Sequence, residues 1–264
     1  MSMDIILIEL VASLTTIVIF TLAGVLDWWW REIPPTLWIM PVIIGISVNI
    51  LYYFLYCSNY FATICKYQFQ LQLLQLILSL ILLCIISILV FIIKIIGGAD
   101  FLAVASFIAL YPFNRLLVLG YSKNIIVLQL LFFLPPILWV LIIYSVIMIS
   151  LILFNLLNNL RFHKEIKTLR VPLTNKILYT LFCRFMYVKE YRRKKFYYPV
   201  YVQSIISRVS FNIYEDDEVW KQRLSNIPDN LVIVVSWGIP MITFMSLAVA
   251  TYLILYNTLL LMLY

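Results

Sequence analysis

The sequence predicts an all-α polytopic membrane protein with six transmembrane helices and a small β-rich cytoplasmic domain between helices 5 and 6. Its composition is the first observation, since 64% of the 264 residues are apolar and only 12% are charged. An ordinary soluble domain is about 45–50% apolar and about 25% charged. The second observation is a series of apolar runs that reach the ~20 residues needed to cross a bilayer. The polar segment 158–230 interrupts these runs and supplies the soluble domain.

Prolines and short polar turns divide the apolar runs into separate spans. The pair Pro135–Pro136 splits the long run 125–157, because proline inside a helix removes a hydrogen bond and forces a break. Pro112 and Asn114 predict that the fourth helix ends early or is kinked. The six spans are expected at about residues 5–26, 35–56, 73–96, 101–119, 136–157 and 231–262.

Polar residues near the ends of the spans are expected at the membrane interface. Glu9 lies near the start of the first span, and we expect it at the outer surface. A group of glutamines precedes the third span and predicts an interfacial lead-in rather than a buried segment. These glutamines are Gln68, Gln70, Gln72 and Gln75.

The segment 158–230 changes character in its second half. Residues 195–214 are rich in Tyr, Val and Ile with partial alternation, which is typical of β-strands. We therefore divide the chain into three regions. They are 1–157, with transmembrane helices 1–5 and both intramembrane aspartates; 158–230, the cytoplasmic soluble domain; and 231–264, with transmembrane helix 6.

The basic residues are concentrated in one segment. The net charge is +7, and 14 of the 19 Lys and Arg residues lie within 158–230. Positive residues collect on the cytoplasmic side of membrane proteins, so we expect the N-terminus outside and this domain in the cytoplasm. Topology thus explains the positive charge, and no nucleic-acid partner is expected. Arg192–Lys195 is expected to face anionic lipid headgroups, and Glu215–Glu218 is either a solvated turn or a site that attracts basic peptides.

The cysteines and the single histidine do not fit the common metal motifs. Cys57, Cys65, Cys84 and Cys183 contain no C-x-x-C pair, and His163 is the one histidine in the sequence. A structural zinc site needs four such ligands at characteristic spacings. We therefore expect no metal and no cofactor. A disulfide between Cys57 and Cys65 stays open, and Cys84 is expected to pack within the third span.

Two carboxylates are expected at the same depth in the membrane. Asp27 follows the first span and Asp100 begins the fourth, so the predicted topology puts both at the cytoplasmic face. Ionisable groups at membrane depth are costly and mark functional sites. Two carboxylates that share one proton can hydrolyse a peptide bond without a metal, because one draws a proton from water while the other donates to the scissile carbonyl oxygen.

Both aspartates also have purely structural interpretations. Asp is a preferred N-cap residue, so Asp100 could simply begin a helix. Asp27 could be an interfacial residue paired with Arg31. Gly97 and Gly98 let a backbone or a substrate approach closely beside Asp100, but two glycines before a helix are also common in ordinary loops.

The motifs around the two aspartates resemble those of a known enzyme family. Asp27 is followed by Arg31-Glu32-Ile33-Pro34, and Gly97-Gly98-Ala99-Asp100 follows the third span. This pattern is similar to the archaeal preflagellin and prepilin peptidases, which belong to the G-x-G-D class of intramembrane aspartic proteases. The strict motif has glycine where Ala99 stands. Trp237–Pro240 resembles a proline-containing motif on the family's last helix.

The resemblance implies a specific activity and site. Asp27 and Asp100 would be the catalytic residues, and Gly97, Gly98 and Ala99 would contact the substrate. The implied partners are the short basic leader peptides of archaellin and type IV pilin-like precursors, together with membrane lipid. The implied reaction is endopeptidase cleavage at the cytoplasmic membrane face, without methyl transfer. The resemblance gives no oligomeric state.

Two other classes of function stay open. In a small multi-pass transporter, the two acids would bind an ion or relay protons. In a scaffold subunit, they would have no chemical role. The spans contain few further polar groups in the sequence and no inverted repeat of the kind common in transporters, which favours the hydrolase.

Overall fold

The structure is a computed structural model that describes residues 3–57, 62–92, 97–115, 133–203, 205–208 and 215–263. Ten α-helices and four strands are assigned within these ranges. In chain order they are α1 Met3–Trp29, α2 Ile39–Cys57, α3 Ala62–Phe91, α4 Gly98–Leu110, α5 Pro136–Asn159, α6 His163–Thr168, α7 Leu173–Phe182, β1 Arg184–Tyr187, α8 Val188–Tyr191, β2 Tyr197–Val202, β3 Ile206–Ser207, α9 Asp217–Arg223, β4 Val232–Trp237 and α10 Met241–Leu263. Two short 3-10 helices, Pro35–Trp38 and Leu160–Phe162, precede α2 and α6.

The chain forms two compact units. The first contains Met1–Ser145 and Pro240–Tyr264, and the second contains Val146–Ile239. Helix α5 therefore begins in the first unit and ends in the second. The first unit is helical in its described part, whereas the second contains the sheet.

The prediction of a mostly helical chain with a small sheet is confirmed, and its long apolar helices are compatible with a membrane protein. Among the described residues, five helical stretches are long and apolar enough to cross a membrane, and Gly98–Leu110 is apolar but shorter. Helix α4 is about 20 Å long at 1.5 Å per residue, less than the ~30 Å hydrocarbon core. The five long stretches are Leu7–Trp29, Pro35–Phe54, Phe69–Phe91, Pro136–Thr168 and Met241–Thr258.

Two helix boundaries differ from the sequence expectation. The third helix was expected from about residue 73 but begins at Ala62. The last was expected from about residue 231, yet Val232–Trp237 forms strand β4, and the helix begins at Met241. The run VIVVSW is apolar because it is a central strand between β1 and β2, buried on both faces. Trp237–Pro240 consequently precedes the last helix rather than lying on it.

The prolines act as expected. Helix α5 begins at Pro136, where proline costs no helical hydrogen bond. Helix α4 ends at Leu110, two residues before Pro112. Residues 116–132, which include the end of the fourth expected span, lie outside the described residues. That fourth span, expected at about 101–119, therefore stays a prediction.

The described residues 111–115 that follow α4 are irregular, and neighbouring side chains bond to their backbone and to the end of α4. Non-helical backbone at membrane depth is tolerated only where protein groups replace water as hydrogen-bond partners. The Arg115 guanidinium donates to the Leu110 carbonyl oxygen at 3.0 Å, and the Ser79 hydroxyl donates to the Pro112 carbonyl oxygen at 3.2 Å. Helix α4 can therefore end inside the unit.

Two glutamines that we expected at the membrane interface are buried. Gln75 accepts a hydrogen bond from the Asn114 amide at 2.8 Å and donates to the Phe133 carbonyl oxygen at 2.9 Å. Gln72 donates to the Tyr52 hydroxyl at 3.2 Å. The interfacial expectation was wrong for both, because Gln75 satisfies backbone groups of Asn114 and Phe133 beside α3 and Gln72 bonds a side chain of α2.

Glu9 is likewise buried among side chains of the first unit, and its expected position at the outer membrane interface stays a prediction. Its Oε1 accepts a hydrogen bond from Arg115 Nε at 2.5 Å, and the Tyr256 hydroxyl donates to the same oxygen at 3.2 Å. Arg115 also donates to Asn49 Oδ1 at 2.6 Å. Glu9 is 2% exposed and Arg115 is 1% exposed. A charge without such a partner would be costly at this depth, so the two side chains meet inside the helical unit.

Small residues allow two close helix contacts in the first unit. A Cβ atom on Gly45 would lie 2.5 Å from the carbonyl carbon of Ala109, which brings α2 against the backbone of α4. A Cβ on Gly24 would overlap the Ser246 hydroxyl, which brings α1 against α10. Small residues at helix interfaces are the usual device for close packing in membranes.

The second unit is built on a four-stranded antiparallel sheet in the order β1-β4-β2-β3. Helices and loops cover both faces. One face packs in a cluster of Met186, Val188, Tyr191, Val202, Leu224, Ile233 and Val235. The other packs in a cluster of Tyr179, Cys183, Phe185, Val200 and Val234, to which α7 contributes its buried side.

The acidic run 215–218 is engaged within the second unit. Glu215 binds the Arg208 guanidinium and accepts a hydrogen bond from Trp220 Nε1 at 2.7 Å. Asp216 caps α9 by accepting from the Glu218 amide at 2.8 Å. Asp217 accepts from Lys221 Nζ at 2.9 Å. These contacts favour the structural interpretation of the run over a site for basic peptides.

Arg192 is also held within the second unit. Its guanidinium pairs with Asp229 and donates to the carbonyl oxygens of Leu224, Ser225 and Ile227 at 2.7–3.0 Å. Lys194 pairs with Glu190. We expected the run 192–195 to face lipid headgroups. This is not supported for Arg192, because its guanidinium binds the loop 224–229 of the second unit.

Candidate functional site

Asp27 lies in the last turns of α1, where its carboxylate meets the beginning of α10. The Thr243 amide donates to Asp27 Oδ2 at 3.1 Å. The Thr243 hydroxyl lies 3.4 Å from Oδ2 and 2.8 Å from the Gly24 carbonyl oxygen. Free N–H groups and the helix dipole make a helix N-terminus favourable for a carboxylate. Asp27 is thus fixed by α10, and it also interacts electrostatically with Arg31.

Asp100 lies in the first turn of α4 and is half-buried. Gly97 is the N-cap residue, and its amide donates to Asp100 Oδ2 at 3.2 Å. Asp100 is therefore the third helical residue, whose side chain reaches back to the cap, and not the N-cap itself. This contact is one half of a capping box and fixes the carboxylate near the helix start.

The two glycines before Asp100 have different surroundings. Gly97 has φ of −73° and ψ of 150°, which any residue can adopt. A Cβ there would lie 3.1 Å from Asp100 Oδ2, so glycine leaves room for the carboxylate to reach its own cap. A Cβ on Gly98 would meet no atom of the described residues within 4 Å. The packing of these residues does not require glycine at 98, and the space beside it is open.

Asp27 and Asp100 are brought within electrostatic range of each other. The two side chains come from different helices, and their negative charges repel. The structural interpretation of Asp27 is also observed, since it interacts with Arg31, whereas the N-cap interpretation of Asp100 was wrong because Gly97 is the N-cap and Asp100 follows at the third helical position. The geometry thus combines two fixed carboxylates with mutual repulsion, and one shared proton relieves such repulsion.

Tyr144 on α5 is a third polar group near the pair, and sequence reasoning missed it. Its phenol interacts electrostatically with both Asp100 and Asp27. Tyr144 belongs to no sequence motif. Its polar hydroxyl within an apolar run was the one feature that could have marked it as a candidate site residue. Ala99, the remaining predicted site residue, is half-buried next to Asp100.

A metal site is not formed in the described part of the chain. No group of three or more His, Cys, Asp or Glu side chains lies together in the ranges that the structure describes. The chemistry available from the described groups is acid–base chemistry of the two carboxylates and a nearby phenol.

No protein-family model and no curated protein matches this chain. The resemblance to intramembrane peptidases therefore rests on the residues that carry it, which are Asp27, Arg31–Pro34 and Gly97–Asp100. Membership of that family stays a prediction.

Proposed function

We propose that the protein is an intramembrane aspartyl endopeptidase that cleaves short basic leader peptides from archaellin or type IV pilin-like precursors at the cytoplasmic membrane face. The observation that carries this proposal is the pair Asp27 and Asp100, two carboxylates held by separate helices within electrostatic range. Peptide hydrolysis by an aspartate pair needs this arrangement and no metal or cofactor.

The hydrogen bonds suggest a role for each carboxylate. Asp27 accepts from the Thr243 amide and lies within 3.4 Å of the Thr243 hydroxyl, which stabilise a charged carboxylate, whereas Asp100 accepts from the Gly97 amide. In the proposed reaction Asp27 takes a proton from water as the water oxygen attacks the scissile carbon. Asp100 gives its proton to the carbonyl oxygen. As the tetrahedral diol collapses, the C–N bond breaks, Asp27 gives its proton to the leaving amine, and one diol hydroxyl returns a proton to Asp100.

The surroundings of Asp100 suit an extended substrate backbone. Gly98 faces open space and is exposed, and the neighbouring Gly97 is also exposed. A peptide can approach such a position without meeting side-chain atoms. Under the proposed topology, with the N-terminus outside, the ends of α1 and α4 that carry the acids face the cytoplasm. A precursor's leader would reach them there.

An ion or proton-coupled transporter is the second candidate, and one observation favours it. The described helices contain more buried polar groups than the sequence suggested, including the Glu9–Arg115 ion pair. Intramembrane charges mark ion and proton pathways in transporters. These groups are nevertheless hydrogen-bonded to one another and to the irregular end of α4, which is the pattern of a structural network.

A cleavage assay separates the candidates. The full-length protein is reconstituted into liposomes with a precursor that carries a short basic leader, and products are identified by mass spectrometry. Asp27→Asn and Asp100→Asn should each abolish cleavage while the protein stays folded. Glu218→Gln, the same chemical change at an exposed acid of the second unit, is the matched control and should cleave normally. Cleavage by either aspartate variant contradicts the proposal, and ion flux without cleavage supports the transporter.

A further inference from the structure

Helix α7 has an apolar face that the described residues of the second unit leave exposed. Tyr179 and Cys183 at its buried side pack into the sheet. On the other side, Leu173 is 73% exposed, Ile177 is 53% exposed and Phe182 is 52% exposed. A soluble surface helix points its apolar stripe inward, but this helix points apolar residues both inward and outward. Large exposed apolar surfaces mark interaction sites.

Basic residues lie on α7 and in the segment just before it. The segment 160–182 contains five Lys or Arg residues and one acidic residue, Glu165. Four of the five basic side chains are exposed. An apolar helix face with basic residues around it is the composition of helices that lie in the plane of an anionic membrane surface. The five basic residues are Arg161, Lys164, Lys167, Arg170 and Lys176.

The end of α7 is attached to the end of an apolar helix. Asn159, the last residue of α5, is fully buried and donates to the carbonyl oxygens of Thr180 at 2.9 Å and Cys183 at 2.7 Å. Its own side-chain oxygen accepts from the Phe185 amide at 3.0 Å. Helix α5 belongs to a stretch long and apolar enough to cross a membrane. These bonds fix the C-terminal end of α7 at the end of α5.

We infer that α7 lies in the membrane–water interface, with Leu173, Ile177 and Phe182 inserted among the lipids and the basic residues at anionic headgroups. Three observations support a lipid surface as the occupant. They are the apolar face itself, the positive charge on α7 and just before it, and the attachment of α7 to the end of α5. Helices of this kind bury their apolar face about 5–10 Å into the boundary between headgroups and acyl chains. The inference does not depend on the proposed peptidase activity.

Spin labels on the full-length protein test this inference. Cys57, Cys65 and Cys84 are replaced by alanine, and buried Cys183 is retained. Single labels are introduced through Ile177→Cys, Phe182→Cys and, as a matched control, Val219→Cys. Val219 is an exposed apolar residue on α9 of the same unit, 42% exposed. All three positions are exposed, so the label replaces no packed side chain, and the unlabelled parent variant reports any reaction at Cys183.

The labelled proteins are reconstituted into vesicles of phosphatidylcholine and phosphatidylglycerol. Labels at 177 and 182 should be more accessible to oxygen, which dissolves in the bilayer, than to a water-soluble nickel complex. The label at 219 should show the opposite preference. Equal water accessibility at all three positions would overturn the inference. Dipolar broadening between labels at 177 on neighbouring copies would also overturn it, because the apolar face would then bind a second copy of the chain.

A charge reversal tests the lipid headgroups separately. Lys167→Glu with Arg170→Glu should move the label at 177 towards water in vesicles that contain phosphatidylglycerol. The same change should have a smaller effect in vesicles of phosphatidylcholine alone, because the basic residues attract anionic lipid. An unchanged label depth in both vesicles would contradict the role of these two basic residues.

Discussion

Glu9 and Arg115 form a buried ion pair, with Arg115 Nε 2.5 Å from Glu9 Oε1, although 106 residues separate them in the sequence. The pair joins the first part of α1 to the irregular segment after α4. Tyr256 of α10 and Asn49 of α2 bind the same two side chains. Four parts of the first unit therefore meet at one polar cluster, which fixes the chain just after the end of α4.

Breaking this pair should destabilise the protein strongly. Arg115→Met leaves Glu9 buried with its charge partner missing, and such a change costs about 3–5 kcal/mol. Glu9→Leu combined with Arg115→Met should cost less than the sum of the two single changes, because no charge is then left unpaired. Unfolding by denaturant in detergent measures these differences.

A partly exposed pair provides the control for this comparison. Lys221→Met removes the partner of Asp217, which lies on the surface of the second unit, and should cost about 0–1 kcal/mol. Additive losses at Glu9 and Arg115 would show that the two side chains do not act as a pair.

The sequence predicted the elements that local chemistry determines. Apolar length and composition identified the long helices, and the prolines identified the beginning of α5 and the early end of α4. The Tyr- and Val-rich composition near residue 200 predicted strands, and β2 lies there. Each of these signals acts within a few residues of the chain, so one sequence suffices to detect it.

Long-range pairing could not be predicted in the same way. Glu9 looked like an interfacial residue because its partner Arg115 is distant in sequence, and Gln75 has its partners in two other segments. Strand β4 was mistaken for the beginning of a helix because a buried central strand is as apolar as a membrane span. Tyr144 was missed because only the fold brings its phenol near Asp27 and Asp100.

Substitutions of two glycines should separate packing from substrate access. Gly45→Ala places a Cβ 2.5 Å from the Ala109 backbone and should destabilise the protein by about 1–3 kcal/mol. Gly98→Leu meets no described atom at its Cβ, so stability should stay close to wild type while cleavage of a leader precursor falls. Thermal unfolding and the cleavage assay measure the two effects. Full cleavage by Gly98→Leu would show that substrate does not use the open space beside Asp100.

The Thr243 hydroxyl should have a modest effect on the reaction through Asp27. Thr243→Val keeps the shape of the side chain and the amide bond to Asp27 but removes the hydroxyl bonded to the Gly24 carbonyl oxygen. A lost hydrogen bond of about 1 kcal/mol corresponds to about fivefold slower cleavage. Thr243→Ser should restore the rate.

The control for this change lies on the same helix. The Thr251 hydroxyl donates to its own helix at Leu247, away from Asp27. Thr251→Val should therefore cleave at the wild-type rate. An equal loss at both threonines would assign the effect to the stability of α10 and not to Asp27.

The Cys183 thiol should be inert in the folded protein. Burial raises its pKa from an ordinary value near 9.0 to about 12, so the reactive thiolate is scarce at any lower pH. Iodoacetamide at mildly alkaline pH should leave Cys183 unmodified until the protein is unfolded, as read by mass spectrometry of the peptide.

The same shift predicts the direction of a pH effect on stability. Since the unfolded chain loses the thiol proton more easily, stability should fall as pH rises from about 9 to about 12. Rapid alkylation of the folded protein, or a Cys183→Ala variant with the same alkaline loss of stability, would contradict this assignment.

The central claim is that Asp27 and Asp100 act as one catalytic unit, and a double-mutant comparison tests it most directly. The ratio kcat/KM for a leader precursor is measured for Asp27→Asn, Asp100→Asn and the double variant. Residues that act as a unit are non-additive, so each single change should lose as much activity as both together. Losses that multiply in the double variant, or cleavage that survives either single change, would contradict a shared proton between these two carboxylates.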